Sequence, residues 1–374
     1  MLKASNFCVS PDKTRGRVYK TTKDKFRNDY QRDVGRVIHS TAFRRLKYKT
    51  QVFVNHEGDH FRTRLTHTLE VSQIARSISR YFKLNEDLTE AIALAHDLGH
   101  TPFGHAGEDA LIKASGSYFN HNDQSFRIVT FLEKVYLPFD GLNLTWETLE
   151  GIAKHNGPLK NINTNSTLFF FNKNIMNLEL KTFPSLEAQI ASISDDIAYM
   201  NHDLDDGFRA GLFYIKDLNK LNFYKEIIKE YGLEASSNRF KKELVRNLIN
   251  KMVVDLIKET EKNLNKIKPK NTNDIRNAGF NIASFSNKMK RNIMEIRLFL
   301  NKRMYNHKTI SNKTKKYKKV IENLYQLYIT NKLSIPSTWI NETYKDIKVD
   351  KKQMLVDYIS GMTDRYILKI YNKI

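Results

Sequence analysis

A single cysteine, Cys8, occurs in 374 residues, which excludes an intramolecular disulfide framework and fits a reducing cytoplasm. No run approaches the roughly 18–20 apolar residues that a membrane span needs. The segment Met1–Lys20 carries basic residues but no apolar centre, so it is not a secretory signal. The sequence GxxxxGK[ST] is missing, which excludes a Walker-type NTPase. Strand signals are almost missing too: Gln51-Val52-Phe53-Val54 is the one short β-like run, followed by a turn over Asn55–Asp59. Acidic residues are in deficit, 41 against 62 basic, for a formal charge of +21. That balance favours polyanions such as nucleoside triphosphates or nucleic acid. AT-rich coding would produce the same excess of Lys, Asn and Ile, so charge alone decides little.

What is present is the make-up of a folded protein. Hydrophobic residues reach 40% and aromatics 11%, enough for one large domain or two with a substantial core. Residues 1–26 read as a polar, basic arm. Helical spacing of Val37, Ile38, Ala42, Phe43 and Leu46 follows, and resumes from Arg64 to Phe82 through Leu65, Leu69, Val71, Ile74, Ala75 and Ile78. Further helices are predicted over 86–98, 105–114, 122–134, 145–155 and 186–202. The Asn-rich stretch 160–184 reads as loops. Beyond Gly207 the pattern is long amphipathic helices broken by Lys/Asn-rich linkers, with Lys262–Asn271 and Asn312–Lys319 the most loop-like. The class is all-α.

The chain is organised around Ala93-Leu-Ala-His-Asp-Leu-Gly-His-Thr-Pro-Phe-Gly-His-Ala-Gly-Glu108. An apolar helix ends in His96-Asp97, and Gly99, Pro102 and Gly104 then force a loop. An imidazole beside a carboxylate suits a hard or borderline divalent ion. His67 on the preceding helix and Asp195 or Asp196 on a later one would complete two imidazoles and two carboxylates, leaving positions open for water. A His-Asp pair alone means little, since His202-Asp203 is another. The conjunction of residues points to a metal-dependent phosphohydrolase.

Around that centre, His105 and Glu108 stand three apart on the opening turns of a helix, so a carboxylate could orient an imidazole for acid–base work. Spacing alone equally allows a Glu that complements the helix dipole. Asp195, Tyr199 and Asp203 fall at steps of four along one face, as a ligand-binding ladder or a solvated edge would. Arg64, one turn before His67, is the best cation for phosphate charge.

These residues resemble the deoxyguanosinetriphosphate triphosphohydrolase-like family within the HD-domain metal phosphohydrolases. The stretches that carry the resemblance are Ile38–Leu46, Lys49–Phe53, Arg62–Val71, Ala95–Glu108, His121-Asn122, Glu150–Pro158, Glu187–Ile190, Asp195–Tyr199, His202–Gly207 and Tyr358–Arg365. The resemblance as a whole extends from about residue 13 to the C-terminus. The resemblance implies an all-α HD fold with metal ligands His67, His96, Asp97 and Asp195, which settles Asp195 over Asp196. It places His100, His105, Glu108 and His121 around the α-phosphate and Arg64 on the phosphates. Tyr199, Asp203 and Gln51 would meet the deoxyribose, and Arg297, Tyr305 and His307 would belong to the base end. Val34-Gly35 departs from the acidic and basic residues usual after the family's Arg-Asp.

The expectation is therefore a hydrolase giving a deoxynucleoside and inorganic triphosphate from a dNTP. It would need a divalent metal among Mn, Mg, Fe, Co and Zn, with Mn or Mg favoured. Three regions are expected: an arm with helices over 1–60, the HD core over 61–207, and a C-terminal helical region over 208–374 that completes the nucleotide site and an oligomer surface. Expected partners are the dNTP, an activating dNTP or single-stranded DNA, and further copies of the chain, with no membrane and a cytoplasmic location. The rivals are an HD nucleotidase acting on another nucleotide and a non-catalytic nucleic-acid binder.

Overall fold

The computed structural model describes residues 4–51, 61–231, 238–345 and 347–374. Among these residues there is no strand, only the isolated bridges Arg17–Thr145 and Thr50–Thr63. The strand signal from Val52 onward and the turn after it lie outside the described residues. Gln51 is the last residue described before the gap.

The first helices are α1 (Asp29–Ile38), α2 (Thr41–Arg45), α3 (Arg64–Tyr81), α4 (Glu86–Ala95) and α5 (His105–Ser115). Then come α6 (His121–Arg127), α7 (Trp146–Ala153), α8 (Thr167–Asn174) and α9 (Leu186–Arg209). The C-terminal part holds α10 (Asn222–Tyr231), α11 (Asn238–Ile267), α12 (Thr272–Arg276), α13 (Asn287–Leu300) and α14 (Lys308–Ile329). It closes with α15 (Ser337–Tyr344), α16 (Lys351–Ser360) and α17 (Asp364–Tyr371).

Local chemistry explains where the site-bearing helices begin. Thr63 accepts from the Thr66 amide, and the Thr66 hydroxyl accepts from the Thr63 amide, so α3 opens in a reciprocal cap. Asn85 accepts from the Leu88 amide at the head of α4, and Ser185 does the same for Ala188 at the head of α9. Helix α4 stops at Ala95, shorter than its apolar pattern suggests, so His96 is its C-cap and Asp97 lies just outside.

Three apolar cores result, and the central stretch threads all of them. Ala93 belongs to the core of α3, α4, α9, α11 and α13. Leu94, Ala95 and Leu98 belong to a second core, with α1, α2, α6, α7 and α8. Phe103, Ala110 and Leu111 belong to the third, with α14, α16 and α17. The polar residues between them are thus anchored from three sides.

Several expectations are corrected. The stretch 160–184 contains helix α8, capped by Ser166 and anchored through buried Leu168 and Phe171. Asp123 accepts from the Thr167 and Leu168 amides, a tertiary contact that a local reading of an Asn-rich segment misses. The expected linker Lys262–Asn271 is helical to Ile267 because Leu264 is buried while its lysines face water, and the chain turns only at Lys268, with φ +47°. Asn312–Lys319 lies inside α14, since lysines are good helix formers and Val320, Ile321 and Leu324 fix that helix to the third core. Helix α9 runs on to Arg209 rather than ending at His202. Leu69, expected on the core face of α3, is 50% exposed.

Candidate metal centre and active site

Four side chains from three elements converge at the end of α4. His67 projects from α3, His96 and Asp97 close α4, and Asp195 projects from α9. Donor atoms of His67, His96 and Asp97 all lie within 4.8 Å of one another. Asp195 Oδ1 is 2.9 Å from His67 Nε2 and 3.7 Å from His96 Nε2, and Asp97 Oδ1 is 3.5 Å from His96 Nε2. An ion with bonds of about 2.1 Å holds adjacent donors about 3 Å apart and opposed ones about 4 Å apart. The observed separations fall in that interval.

The chemistry of the donor set fits as well. The His96 Nδ1–H faces the Ala93 carbonyl at 2.6 Å, which leaves Nε2 as a bare lone pair. That Nε2 is buried and has no hydrogen-bond partner. Burial opposes ionisation of Asp97, but the charge on Arg64 and the flanking imidazoles outweigh it and hold the carboxyl well below its ordinary range. Asp195 behaves alike: burial opposes its charge, and His96, His155 and His67 overcome it. Both carboxylates are ready as anionic ligands.

Arg64 is not a surface residue. It is 2% exposed, and its Nη1 donates to Asp97 Oδ2 at 2.9 Å. Its Nη2 lies where a Cβ at Gly104 would come within 2.9 Å, and Gly104 has φ +59°, so the loop needs glycine here on two grounds. Gly99 is equally constrained, since a Cβ would sit 2.2 Å from both the His121 carbonyl oxygen and the Ser125 amide.

A second cluster adjoins the first, with His100 Nδ1 2.9 Å from Asp97 Oδ1, and lines the same cavity. Donor atoms of His100, His105 and His121 lie within 4.8 Å of one another, and the rings of His100 and His121 are 4.1 Å apart. Here the structure corrects the spacing. Glu108 accepts not from His105 but from the Nδ1 and backbone amide of His121, at 2.8 and 3.2 Å. The two residues are 13 apart in sequence, so helical periodicity could not pair them. His105 sits edge-on to both other rings, at 5.4 and 5.5 Å. Burial and then the Arg64 charge lower the pKa of His105, while those same causes push His100 far lower.

The same cavity is lined by Gln51, whose buried Oε1 is unpartnered, and by Tyr199. One turn beyond Tyr199, Asp203 accepts a hydrogen bond from the Tyr305 hydroxyl, joining α9 to the segment after α13. Burial pushes the Asp203 carboxyl up to about 8, against the pull of Tyr305. Arg297 and His307 are not among the residues lining the cavity. Arg297 donates to Asp196 at 2.5 Å, with both side chains more than half exposed, and His307 stands at the N-cap of α14.

Three contributors escaped the sequence reading. His155, at the end of α7, stacks on His96 at 5.3 Å, with its Nε2 3.5 Å from Asp195 Oδ2. His202, dismissed as part of a commonplace His-Asp pair, faces His67. Buried Lys49 donates to the carbonyls of His100 and Ser360. Only its place in a resembling motif marked any of them, because each acts through a partner remote in sequence.

Comparison with known proteins places this geometry. Residues 64–200 match the HD domain, and residues 283–373 match the Phosphohydrolase-associated domain. Proteins of Rickettsia rickettsii (strain Iowa) and Rickettsia prowazekii (strain Madrid E), each named deoxyguanosinetriphosphate triphosphohydrolase-like protein, are 44% identical over 99% of this chain and 97% of their own. The protein of that name from Rickettsia canadensis (strain McKiel) is 43% identical over 99% of both chains. With an all-α fold, a His/Asp group able to hold a metal and near full-length similarity to these relatives, the chain belongs to the deoxyguanosinetriphosphate triphosphohydrolase-like family of HD-domain phosphohydrolases.

Proposed function

We propose that the protein hydrolyses deoxynucleoside triphosphates to a deoxynucleoside and inorganic triphosphate. The observation that carries this reading is that two groups line one cavity, His67, His96, Asp97 and Asp195 beside His100, His105 and His121, together with Arg64. The relatives' names supply the substrate class.

Bound by those four ligands, a divalent ion would polarise a phosphoryl oxygen and acidify the attacking water. Arg64, held by Asp97, offsets charge that builds on the phosphate. Water adds to the α-phosphorus, the bond to the 5′-oxygen breaks, and the water's proton is balanced by one delivered to that oxygen. His105, kept neutral by burial, suits the accepting role. His121, whose Nδ1 donates to Glu108, directs its Nε2 to the cavity, where a second proton held on Nε2 would be the one given to the leaving oxygen. Tyr199 and Gln51, which line the cavity, would meet the sugar, with Asp203 one turn beyond Tyr199 and bonded to Tyr305.

Product analysis tests the proposal. Purified protein with Mn²⁺ or Mg²⁺ and each of the four dNTPs should release triphosphate and deoxynucleoside in equal amounts, seen by ³¹P NMR and chromatography. Recovery of orthophosphate or pyrophosphate instead would assign the site to another nucleotidase reaction.

A further inference from the structure

Behind the metal centre, on the side away from the cavity, one hydrogen-bonded row crosses from α9 to α3. His67 Nδ1 is 3.2 Å from His202 Nδ1, and His202 Nε2 is 2.6 Å from Glu70 Oε2. Glu70 is held in turn: Arg62 Nε donates to its Oε2 at 3.1 Å, while Arg62 Nη1 donates to Asp205 and Asp206 at 2.9 and 3.1 Å. Helical spacing builds the row. Glu70 follows His67 by three residues on α3, and His202 follows Asp195 by seven on α9, so the inner pair and its backing pair share the same faces.

The row decides which nitrogen of His67 carries the proton. Glu70 can only accept, so the His202 proton resides on Nε2 and His202 Nδ1 presents a lone pair. The facing Nδ1 of His67 must then donate, which frees His67 Nε2 as a lone pair toward the metal position. The opposite tautomer is also within reach, because His67 Nε2 lies 2.9 Å from Asp195 Oδ1. A proton on Nε2 would donate to Asp195 and occupy two ligand atoms with each other. Two states compete, and the backing row favours the one that can bind metal.

We propose that His202 is a positioning residue of the metal centre, and that Glu70–His202–His67 forms a relay which selects the metal-binding tautomer of His67. The inference rests on the reading of His67, His96, Asp97 and Asp195 as metal ligands. It is independent of which phosphoester is cleaved.

The test measures Mn²⁺ affinity of metal-stripped protein by EPR of the free ion, alongside circular dichroism and thermal unfolding without metal. His202→Leu, which leaves His67 Nδ1 without an acceptor, should bind Mn²⁺ about 10–100-fold more weakly. His202→Asn, which can present its amide oxygen to His67, should recover most of that loss. Glu70 is 45% exposed, so Glu70→Ala should fold normally and still weaken Mn²⁺ binding by freeing the His202 tautomer. A merely structural clasp would move the unfolding temperature and leave affinity and rescue untouched. Wild-type affinity in both His202→Leu and Glu70→Ala, or an Asn variant no better than Leu, overturns the relay. A wild type that binds no Mn²⁺ removes the centre and the relay together. A wild type that binds Mn²⁺ but releases no triphosphate removes only the substrate assignment, and the affinity series still reads the relay.

Discussion

Asp203 carries its proton to about pH 8 because burial outweighs the hydrogen bond from Tyr305, whereas an unfolded aspartate loses its proton near 3.8. Between those values the native state binds a proton that the unfolded chain has released, so this group makes stability fall as pH rises from about 4 to 8. Thermal unfolding of the wild type should therefore show a steeper loss over pH 5–8 than Asp203→Asn, which cannot titrate; superimposable profiles would contradict the burial argument. The site histidines follow a related logic. Two of them have one nitrogen claimed by a fixed acceptor, Ala93 for His96 and Glu108 for His121, which leaves the other nitrogen of each ring free of that partner. His-Asp at the end of an apolar helix was legible as a metal corner. The partner of Glu108 was not, because periodicity reports neighbours on one helix and His121 starts another.

At the scale of elements, the loop between α4 and α5 does the positioning, and the last helix holds it. Phe103 adopts φ +62°, an uncommon state for a bulky residue, directly before Gly104. Its amide donates to Asp364 Oδ1 at 3.0 Å, while Asp364 Oδ2 accepts from the amide and hydroxyl of Thr50. Asp364 thus ties the head of α17 to both the Arg64 side of the cavity and the histidine loop. Asp364→Ala would strand buried donors on two segments and should cost about 3 kcal/mol in denaturant unfolding. Asp364→Asn, which keeps one acceptor, should cost less. Capping explains why the starts of α3, α4 and α9 were readable in order, since Thr63, Asn85 and Ser185 are local signals. Helix α8 and the continuity of α11 and α14 were not, because buried anchors such as Phe171, Leu264 and Val320 override a locally polar composition.

For the whole molecule, the candidate metal centre joins α3, α4 and α9, so an ion bound there would be linked to the folding of the HD core. Chelation should lower the unfolding temperature, and Mn²⁺ at 100 times its dissociation constant should restore about 2.7 kcal/mol. An unfolding curve indifferent to EDTA and to added Mn²⁺ would argue against a resident ion. No helix among the described residues is long and apolar enough to cross a membrane. The all-α class and a His-Asp corner with the residue types of a metal site follow from sequence by itself, because apolar periodicity, capping residues and the His-Asp helix end are short-range features. Tertiary structure alone decided that Arg64 is a buried partner of Asp97, that Glu108 serves His121, that His202 stands behind His67, and that Asp364 anchors the loop from the far end of the chain. Those four pairings join residues 13 to 261 positions apart, and such contacts form only when separate helices bury their apolar faces against one another and leave their polar groups with no solvent to turn to.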